Sequence, residues 1–159
     1  MSTQIRQVVG KAPDMVYTVV EQRLADGRRR TLSIEGPIRR IPGRAPHSGV
    51  FRTPFDHHGH LIADQFGGPG DADSGNIVPM HGYINNGAGG PWKTMESDIG
   101  RLLGTQRGRM HVEARYGDED GIRPHVFRVE VTFSNGMRSR WKIFNYYPHL
   151  PNPSEAGRG

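Results

Sequence analysis

Alternating apolar and polar positions predict strands in the first part of the chain. Residues 15–24 are rich in β-branched side chains, and residues 31–35 alternate leucine and isoleucine with polar residues. The Asp26-Gly27 step between these segments favours a tight turn, so together they predict a β-hairpin. Proline and glycine recur through residues 36–55, which we expect to form an ordered loop.

The second half combines one helical segment with regular strand patterns. Apolar residues recur at helical spacing over residues 91–103, where a proline occupies the first position and a glycine follows the last. This predicts one amphipathic helix. Apolar and polar residues then alternate in residues 109–116, 126–133 and 137–144. An Asn-Gly turn joins the last two segments, so we expect an antiparallel meander with one polar face.

The order of these elements defines the predicted fold class. Strands, a glycine-rich loop, a helix and further strands predict an α+β domain, in which an antiparallel β-sheet carries one main helix. We expect a loose lead-in over residues 1–14, a single domain over residues 15–150 and a flexible tail over residues 151–159. The 159 residues include no cysteine, which excludes a disulfide framework and a thiolate zinc site.

The net charge of the chain indicates which classes of binding partner to expect. A net charge of +5 at pH 7 favours polyanions such as nucleic acid or an anionic membrane surface. No apolar run approaches the length of a membrane-spanning helix, and the N-terminus lacks the apolar segment of an ordinary signal peptide. We therefore expect no membrane insertion, and either a cytoplasmic location or export by a specialised secretion route.

Three histidines, His57, His58 and His60, lie within residues 56–60, just before the glycine-rich loop. Zinc takes neutral imidazoles readily, so a zinc hydrolase that acts on small substrates through these three side chains is one hypothesis. The further histidine and aspartate pattern of the dinuclear zinc hydrolases is absent. A lone cluster without a second ligand motif makes zinc the weaker alternative.

Oxygen ligands downstream of the histidines favour a harder ion. Asn76, Asn85, Asn86 and Glu96 follow along the loop and into the predicted helix, and amide and carboxylate oxygens suit Mg²⁺. A histidine base beside such an ion is a minimal set for cleaving a phosphodiester. Glu96 borders the apolar stripe of the helix, where an unpaired carboxylate is costly; the alternative is a carboxylate that caps the first turn.

Four segments together resemble a known family. They are Asp56-His57-His58-Gly59-His60, Asn76-Ile77-Val78-Pro79, Asn85-Asn86-Gly87 and Trp92 to Glu96. They resemble the DNA/RNA non-specific endonucleases of the ββα-metal (His-Me finger) group, in the branch found in bacterial toxins and effectors. The resemblance covers roughly residues 50–145. It implies a ββα-metal motif in the fold and a metal-dependent nuclease with little sequence specificity.

The resemblance also implies a role for each residue of the site. The expected catalytic set is His60, Asn76 and Glu96. His60 is the general base that activates water, and Asn76 supports the site by placing the loop. Asn85 is the direct ligand of Mg²⁺, for which Mn²⁺ is an alternative, and Glu96 holds water around the metal. Asp56 shapes the strand and turn.

Two departures from the family pattern leave alternatives open. The position before Gly59 is usually arginine, which can contact phosphate, and here it is His58. The candidate substrate-binding residues are therefore His58 itself and three arginines of the preceding loop, Arg39, Arg40 and Arg52. A longer loop before Trp92 leaves Asn86 as the alternative metal ligand to Asn85.

Partners and setting follow from the resemblance alone. We expect DNA or RNA as the substrate, a cognate immunity protein as a possible inhibitor, and export as an effector or toxin. The replaced arginine favours a competing hypothesis, a non-catalytic module on the same fold that binds nucleic acid or a protein partner.

Overall fold

The computed structural model describes residues 2–43, 56–86 and 89–146, and the side chain of Asn86 lies outside this description. These ranges contain eight strands and two α-helices. In chain order they are β1 (Ser2–Val9), β2 (Val16–Arg23), β3 (Arg29–Ile38), β4 (Asp56–His60), β5 (Ile77–His81), α1 (Gly82–Asn86), α2 (Pro91–Leu103), β6 (Gly108–Arg115), β7 (Val126–Phe133) and β8 (Arg138–Phe144).

Six of the strands form one antiparallel sheet in the order β1-β2-β3-β6-β7-β8. β4 and β5 form a separate two-stranded sheet. This architecture confirms the predicted α+β fold with an antiparallel sheet and one main helix. It also confirms the hairpin of β2 and β3 and the meander of β6, β7 and β8.

The hydrophobic core lies between the six-stranded sheet and the remaining elements. Helix α2 buries Trp92, Met95, Ile99 and Leu103, which are the apolar positions of its predicted stripe. The Trp92 ring meets the Phe127 ring of β7 edge to face, with centroids 5.0 Å apart. This packing fixes α2 against the sheet and so fixes the side chains on its remaining surface.

Residues 2–9 form strand β1 and so differ from the loose lead-in that we expected. β1 pairs with β2 along its full length, from Ser2 opposite Arg23 to Val9 opposite Val16. The Arg6 guanidinium also bonds the buried Glu21 carboxylate at 2.6 Å. β1 is an edge strand whose side chains mostly face water, so its sequence lacks a clear apolar alternation.

The other sequence-based expectations have mixed outcomes. The predicted helix over residues 91–103 is confirmed as α2. The segment 36–55, predicted to be an ordered loop, begins as the end of β3, and residues 44–55 lie outside the described residues, as does the tail 151–159. No helix in the described ranges is long and apolar enough to cross a membrane.

Candidate active site

A β-hairpin followed by two helices brings the candidate residues together. In the hairpin, β4 runs antiparallel to β5, with His60 opposite Ile77 and Asp56 opposite His81. Helix α1 follows β5 directly and contacts β4, β5 and α2. The unit therefore joins the strand that carries His60, the short helix that carries Asn85 and the long helix that carries Glu96.

The alternation of β4 separates its three histidines. Successive side chains of a strand point to opposite faces, so His58 and His60 share one face and His57 lies on the other with Gly59. A Cβ atom on Gly59 would lie 2.8 Å from the Met80 Cβ, so only glycine allows this close approach. The described residues contain no cluster of three His, Cys, Asp or Glu side chains able to hold a metal ion. The structure therefore does not favour a zinc site of these three histidines.

Asn76 is fully buried, and its side chain forms hydrogen bonds to the loop backbone. Its Oδ1 accepts a hydrogen bond from Ile62 N at 2.8 Å, and its Nδ2 donates to Ile62 O at 2.8 Å and Pro69 O at 2.9 Å. Its backbone oxygen accepts from Leu61 N, directly after His60. The amide thus ties the loop to the end of β4. With both amide hydrogens engaged, Asn76 contacts the backbone rather than substrate, and we expect it to position His60.

Glu96 is a partly buried carboxylate in the second turn of α2. The first turn of α2 contains no acidic residue, and no side-chain cap bond forms at its N-cap Gly90, so the capping alternative for Glu96 is wrong. Burial raises the pKa of Glu96 to about 8, and nearby Lys93 offsets part of that effect. An acidic group with such a perturbed pKa is typical of a functional site.

The oxygen donors of this unit suit a hard divalent cation. Asn85 is partly buried in α1 and offers an amide oxygen, and Glu96 of the contacting helix α2 offers a carboxylate. Such donors fit Mg²⁺ better than zinc. The alternative ligand Asn86 is the last residue of α1, and its side chain lies outside the described residues. The choice between Asn85 and Asn86 therefore stays a prediction.

The candidate substrate-binding residues occupy different places. His58 is exposed on the face of β4 that it shares with His60. Arg39 is ion-paired with Asp14, with 2.8 Å between Nη1 and Oδ2. Arg40 donates from Nη2 to Gly100 O of α2 at 2.6 Å, one helical turn beyond Glu96. Arg52 lies outside the described residues.

Two residues that sequence reasoning missed hold the hairpin against the main sheet. Arg123 donates from Nε to Asp56 Oδ2 at 2.8 Å and from Nη2 to Asn145 O at 2.7 Å. The fully buried Asn145 accepts a hydrogen bond from His81 N at 2.8 Å. Asp56 thus anchors the start of β4, in keeping with the shaping role that the resemblance implies. No local pattern marks these two residues, because their partners lie 67 and 64 positions away in sequence.

Comparisons with known proteins show the family to which this sequence is related. Residues 45–135 match the DNA/RNA non-specific endonuclease family. The type VII secretion system protein EssD of Staphylococcus aureus (strain USA300) is 32% identical over 118 residues, which cover 72% of this chain and 19% of EssD. EssD of strain NCTC 8325 / PS 47 gives the same values. The chain thus spans about a fifth of the length of these curated relatives.

Solved structures are similar in fold. A crystal structure of NucA from Streptococcus agalactiae with a magnesium ion bound has a TM-score of 0.59 at 12% identity. The structural alignment covers 98% of this chain and 78% of NucA. The structure of NucA with no metal bound has a TM-score of 0.56 at 13% identity.

Proposed function

Since the chain belongs to the DNA/RNA non-specific endonuclease family and is therefore a nuclease, we propose that His60, Asn85 and Glu96 form its catalytic centre with magnesium as the metal. The observation that carries this proposal is the ββα unit, formed by β4, β5, α1 and α2. In this unit α1, which bears Asn85, contacts both β4, which bears His60, and α2, which bears Glu96. The raised pKa of Glu96 supports it, because this carboxylate is partly buried and no donor within the described residues bonds it, which suits it to receive a cation.

In this mechanism His60 accepts a proton from water as the water oxygen forms a bond to phosphorus. The bond from phosphorus to the 3′-oxygen breaks, and the leaving oxygen takes a proton from solvent. The products are a 5′-phosphate and a 3′-hydroxyl. Asn76 keeps His60 in place through the loop that it ties to the end of β4.

Asn85 and Glu96 would hold the metal through their side-chain oxygens. Magnesium, when bound, stabilises the negative charge that develops on the phosphate and the leaving oxygen. The magnesium in the NucA structure supports this choice of ion, and Mn²⁺ is an alternative with the same preference for oxygen ligands.

The exposed His58 is the candidate for the phosphate contact that arginine makes in most of the family. It shares a face of β4 with His60, whereas the guanidinium of Arg39 is already paired with Asp14. Arg40 stays a second candidate, since its anchor on α2 lies one turn beyond Glu96. Arg52 is a third.

The similarity to EssD supports an effector or toxin role with export by a specialised secretion route. A nuclease with little sequence specificity endangers the cell that makes it, so a cognate immunity protein is a further expected partner. Expression of the chain in a bacterial cytoplasm should then inhibit growth, and His60→Ala should relieve the inhibition.

The test of the proposed function is digestion of plasmid DNA and total RNA by the purified chain, with Mg²⁺ and with EDTA. Wild type is expected to cut at least one of the two substrates in Mg²⁺ and neither in EDTA. His60→Ala is expected to lose at least about a hundredfold in rate while keeping nucleic-acid binding, because it removes only the base.

The matched control for His60→Ala is His57→Ala, on the same strand but the opposite face. This variant is expected to cut at a rate close to that of wild type. A similar loss in both variants would indicate damage to the hairpin, and undiminished cutting by His60→Ala would remove His60 from the mechanism.

A further inference from the structure

Three aromatic rings cluster on the surface where β8 ends. The ring centroids of Phe144 and Tyr146 are 5.4 Å apart, and the His125 ring lies 6.1 Å from the first and 5.9 Å from the second. Phe144 is 40% exposed and Tyr146 is 37% exposed, and His125 is also exposed. We call these three side chains the aromatic platform. Grouped, exposed rings of this kind are typical of a binding surface.

A row of cations leads along β8 to the aromatic platform. Arg138, Arg140 and Lys142 are exposed at alternate positions of the strand, so they share one face at a spacing of roughly 7 Å. The Lys142 ammonium lies 5.2 Å from the centre of the Phe144 ring, in cation–π distance. A polyanion that follows this row would bring its phosphates to the cations and its other groups to the rings.

The positive charges of this face are not balanced within the protein. Arg128 of β7 lies directly opposite Lys142 of β8, and such a like-charge pair weakens strand pairing. On its other side Arg128 lies opposite Glu113 of β6, whose carboxylate is bonded by Arg115. Glu130 is engaged by Arg140 at 2.9 Å. Within residues 2–43, 56–86 and 89–146, no carboxylate lies at ion-pair distance from Arg128, Arg138 or Lys142. A bound polyanion would relieve this repulsion.

The aromatic platform is connected to the hairpin of β4 and β5 through the buried Asn145, which lies between Phe144 and Tyr146 in sequence. The Asn145 Oδ1 accepts from His81 N at 2.8 Å, and its Nδ2 donates to Pro79 O at 3.1 Å. Both partners belong to β5. Asn145 thus ties the chain segment that carries the aromatic platform to β5, the strand that pairs with β4.

We propose that the aromatic platform and the cations of β7 and β8 bind an unpaired stretch of the nucleic-acid substrate. Aromatic rings stack with bases of any sequence, and the cations hold phosphates, so the site supplies affinity without sequence specificity. Bases within a duplex are stacked on one another, so the platform favours single-stranded DNA or RNA. This inference rests on the proposed nuclease function, which makes nucleic acid the partner.

The first test is equilibrium binding of a single-stranded oligonucleotide to the full chain in EDTA, followed by fluorescence anisotropy. A duplex of the same length serves as the comparison. Phe144→Leu and Tyr146→Leu keep an apolar side chain but remove a ring. Each is expected to weaken single-strand binding at least about fivefold and to leave duplex binding unchanged. The matched control is Ile5→Ala, which removes an exposed apolar side chain from the opposite edge strand and should bind as wild type does.

Salt dependence separates the stacking contribution from the ionic one. Lys142→Gln is expected to lower the slope of the logarithm of the binding constant against the logarithm of the salt concentration by about 0.7, since one phosphate contact is lost. Phe144→Leu should weaken binding at an unchanged slope, because a ring releases no counterions.

A third measurement uses the wild-type chain, so it does not depend on variant folding. An oligonucleotide carrying 5-iodouracil is bound in EDTA and irradiated, and the cross-linked peptide is identified by mass spectrometry. The cross-link is expected at Phe144 or Tyr146, where a base lies against a ring.

Equal single-strand binding by wild type and both leucine variants would overturn the proposal, as would an equal loss for single strands and duplexes. Cross-links confined to other peptides, or no oligonucleotide binding by wild type, would also overturn it and would favour a protein as the occupant of this face. Plasmid cleavage by wild type is judged separately. If wild type cleaves plasmid but both leucine variants bind oligonucleotide as wild type does, only the proposal for the aromatic platform is wrong. If the leucine variants lose single-strand binding but wild type does not cleave, only the proposed catalytic centre is wrong.

Discussion

Glu96 combines a raised pKa with the lack of a compensating partner. Burial raises its pKa from 4.5 to about 8, and Lys93 offsets only part of this effect. In the described part of the chain no donor bonds its carboxylate. An ionised group in such a place lowers the stability of the metal-free fold. A cation bound at this carboxylate would offset that cost.

Replacing this carboxylate is therefore expected to stabilise the metal-free protein while impairing cleavage. The folded chain holds the Glu96 proton more tightly than the unfolded chain does. The stability linked to that proton is therefore fully present below pH 4.5 and is lost as the pH rises to about 8. Denaturant unfolding in EDTA near pH 9 should find Glu96→Gln more stable by about 2–4 kcal/mol, after allowance for partial exposure.

The same difference in stability should shrink as the pH falls towards 4.5, where the wild-type carboxyl is also neutral. Lys93→Gln is a useful control, because removing the cation should raise the pKa of Glu96 further rather than remove the effect. A Glu96→Gln protein that is no more stable than wild type at high pH would show that the fold already accommodates the charge.

Asn85 and Asn86 adjoin each other in α1, and a matched pair of alanine variants decides which one binds the metal. We expect Asn85→Ala to raise the Mg²⁺ concentration needed for half-maximal cleavage about tenfold or more. Asn86→Ala should leave that concentration unchanged. Asn85→Asp should retain part of the activation, since it keeps an oxygen donor at the same place. The opposite ranking of the two alanine variants would move the metal site to Asn86.

At the scale of elements, the hairpin of β4 and β5 depends on distant parts of the chain for its position. Arg123 holds the start of β4 through Asp56, and Asn145 holds the end of β5 through His81. A two-stranded sheet is marginal by itself in water, so these ties to the six-stranded sheet are needed to fix His60 relative to the helices.

Asn145→Ala is expected to lower the free energy of unfolding by about 2–4 kcal/mol. The substitution leaves the buried His81 N–H and the carbonyl oxygens of Pro79 and Pro124 without the hydrogen bonds that Asn145 makes to them. Denaturant unfolding measures this loss, and cleavage assays well below the unfolding transition should show a reduced kcat, since the hairpin is less firmly placed. Gln7→Ala, which removes an exposed side-chain bond on β1, should change stability by less than about 0.5 kcal/mol. Equal effects of the two substitutions would contradict the anchoring role.

Sequence patterns predicted the elements whose formation depends on local, amphipathic spacing. Helix α2 begins at Pro91 and ends at Leu103, as its apolar stripe predicts, and Gly136 adopts φ 91° in the predicted turn between β7 and β8. β1 was missed because an exposed edge strand has no buried face to impose alternation. α1 was missed because its five residues, Gly82–Asn86, are too few to show helical periodicity.

The candidate site, like the secondary-structure elements, could be predicted from the sequence in part. His60, Asn85 and Glu96 were found through motif resemblance, and their assignment stays a prediction. The packing of Gly59 against Met80 explains the glycine between two histidines, yet it required the register of β4 with β5. Asn145 was beyond prediction, because its importance comes from contacts across the fold rather than from neighbours in sequence.

Across the whole molecule, the two faces of the six-stranded sheet serve different purposes. The inner face supports the core beneath the ββα unit. The outer face carries charges, and several are paired across strands, such as Arg109 with Glu35 at 2.8 Å and Arg140 with Glu130 at 2.9 Å. Exposed pairs of this kind contribute little to stability. The unbalanced cations at the β8 edge therefore matter more for binding than for folding.

Two tyrosines link the stability of the sheet to alkaline pH. The hydroxyls of Tyr17 and Tyr116 donate to Pro37 O and Thr31 O, each at 2.7 Å, and burial raises the pKa of both side chains above 10. The folded chain therefore holds these protons more tightly than the unfolded chain, so the stability linked to them is fully present below pH 10 and falls above it. Two such protons give a decline of about 2.7 kcal/mol per pH unit.

Denaturant unfolding from about pH 9 to 11.5 should show this slope, and Tyr17→Phe should halve it. Gln7→Ala, which removes an exposed side chain that does not titrate, should leave the slope unchanged. Equal slopes in wild type and Tyr17→Phe would mean that the Tyr17 hydroxyl does not control alkaline unfolding.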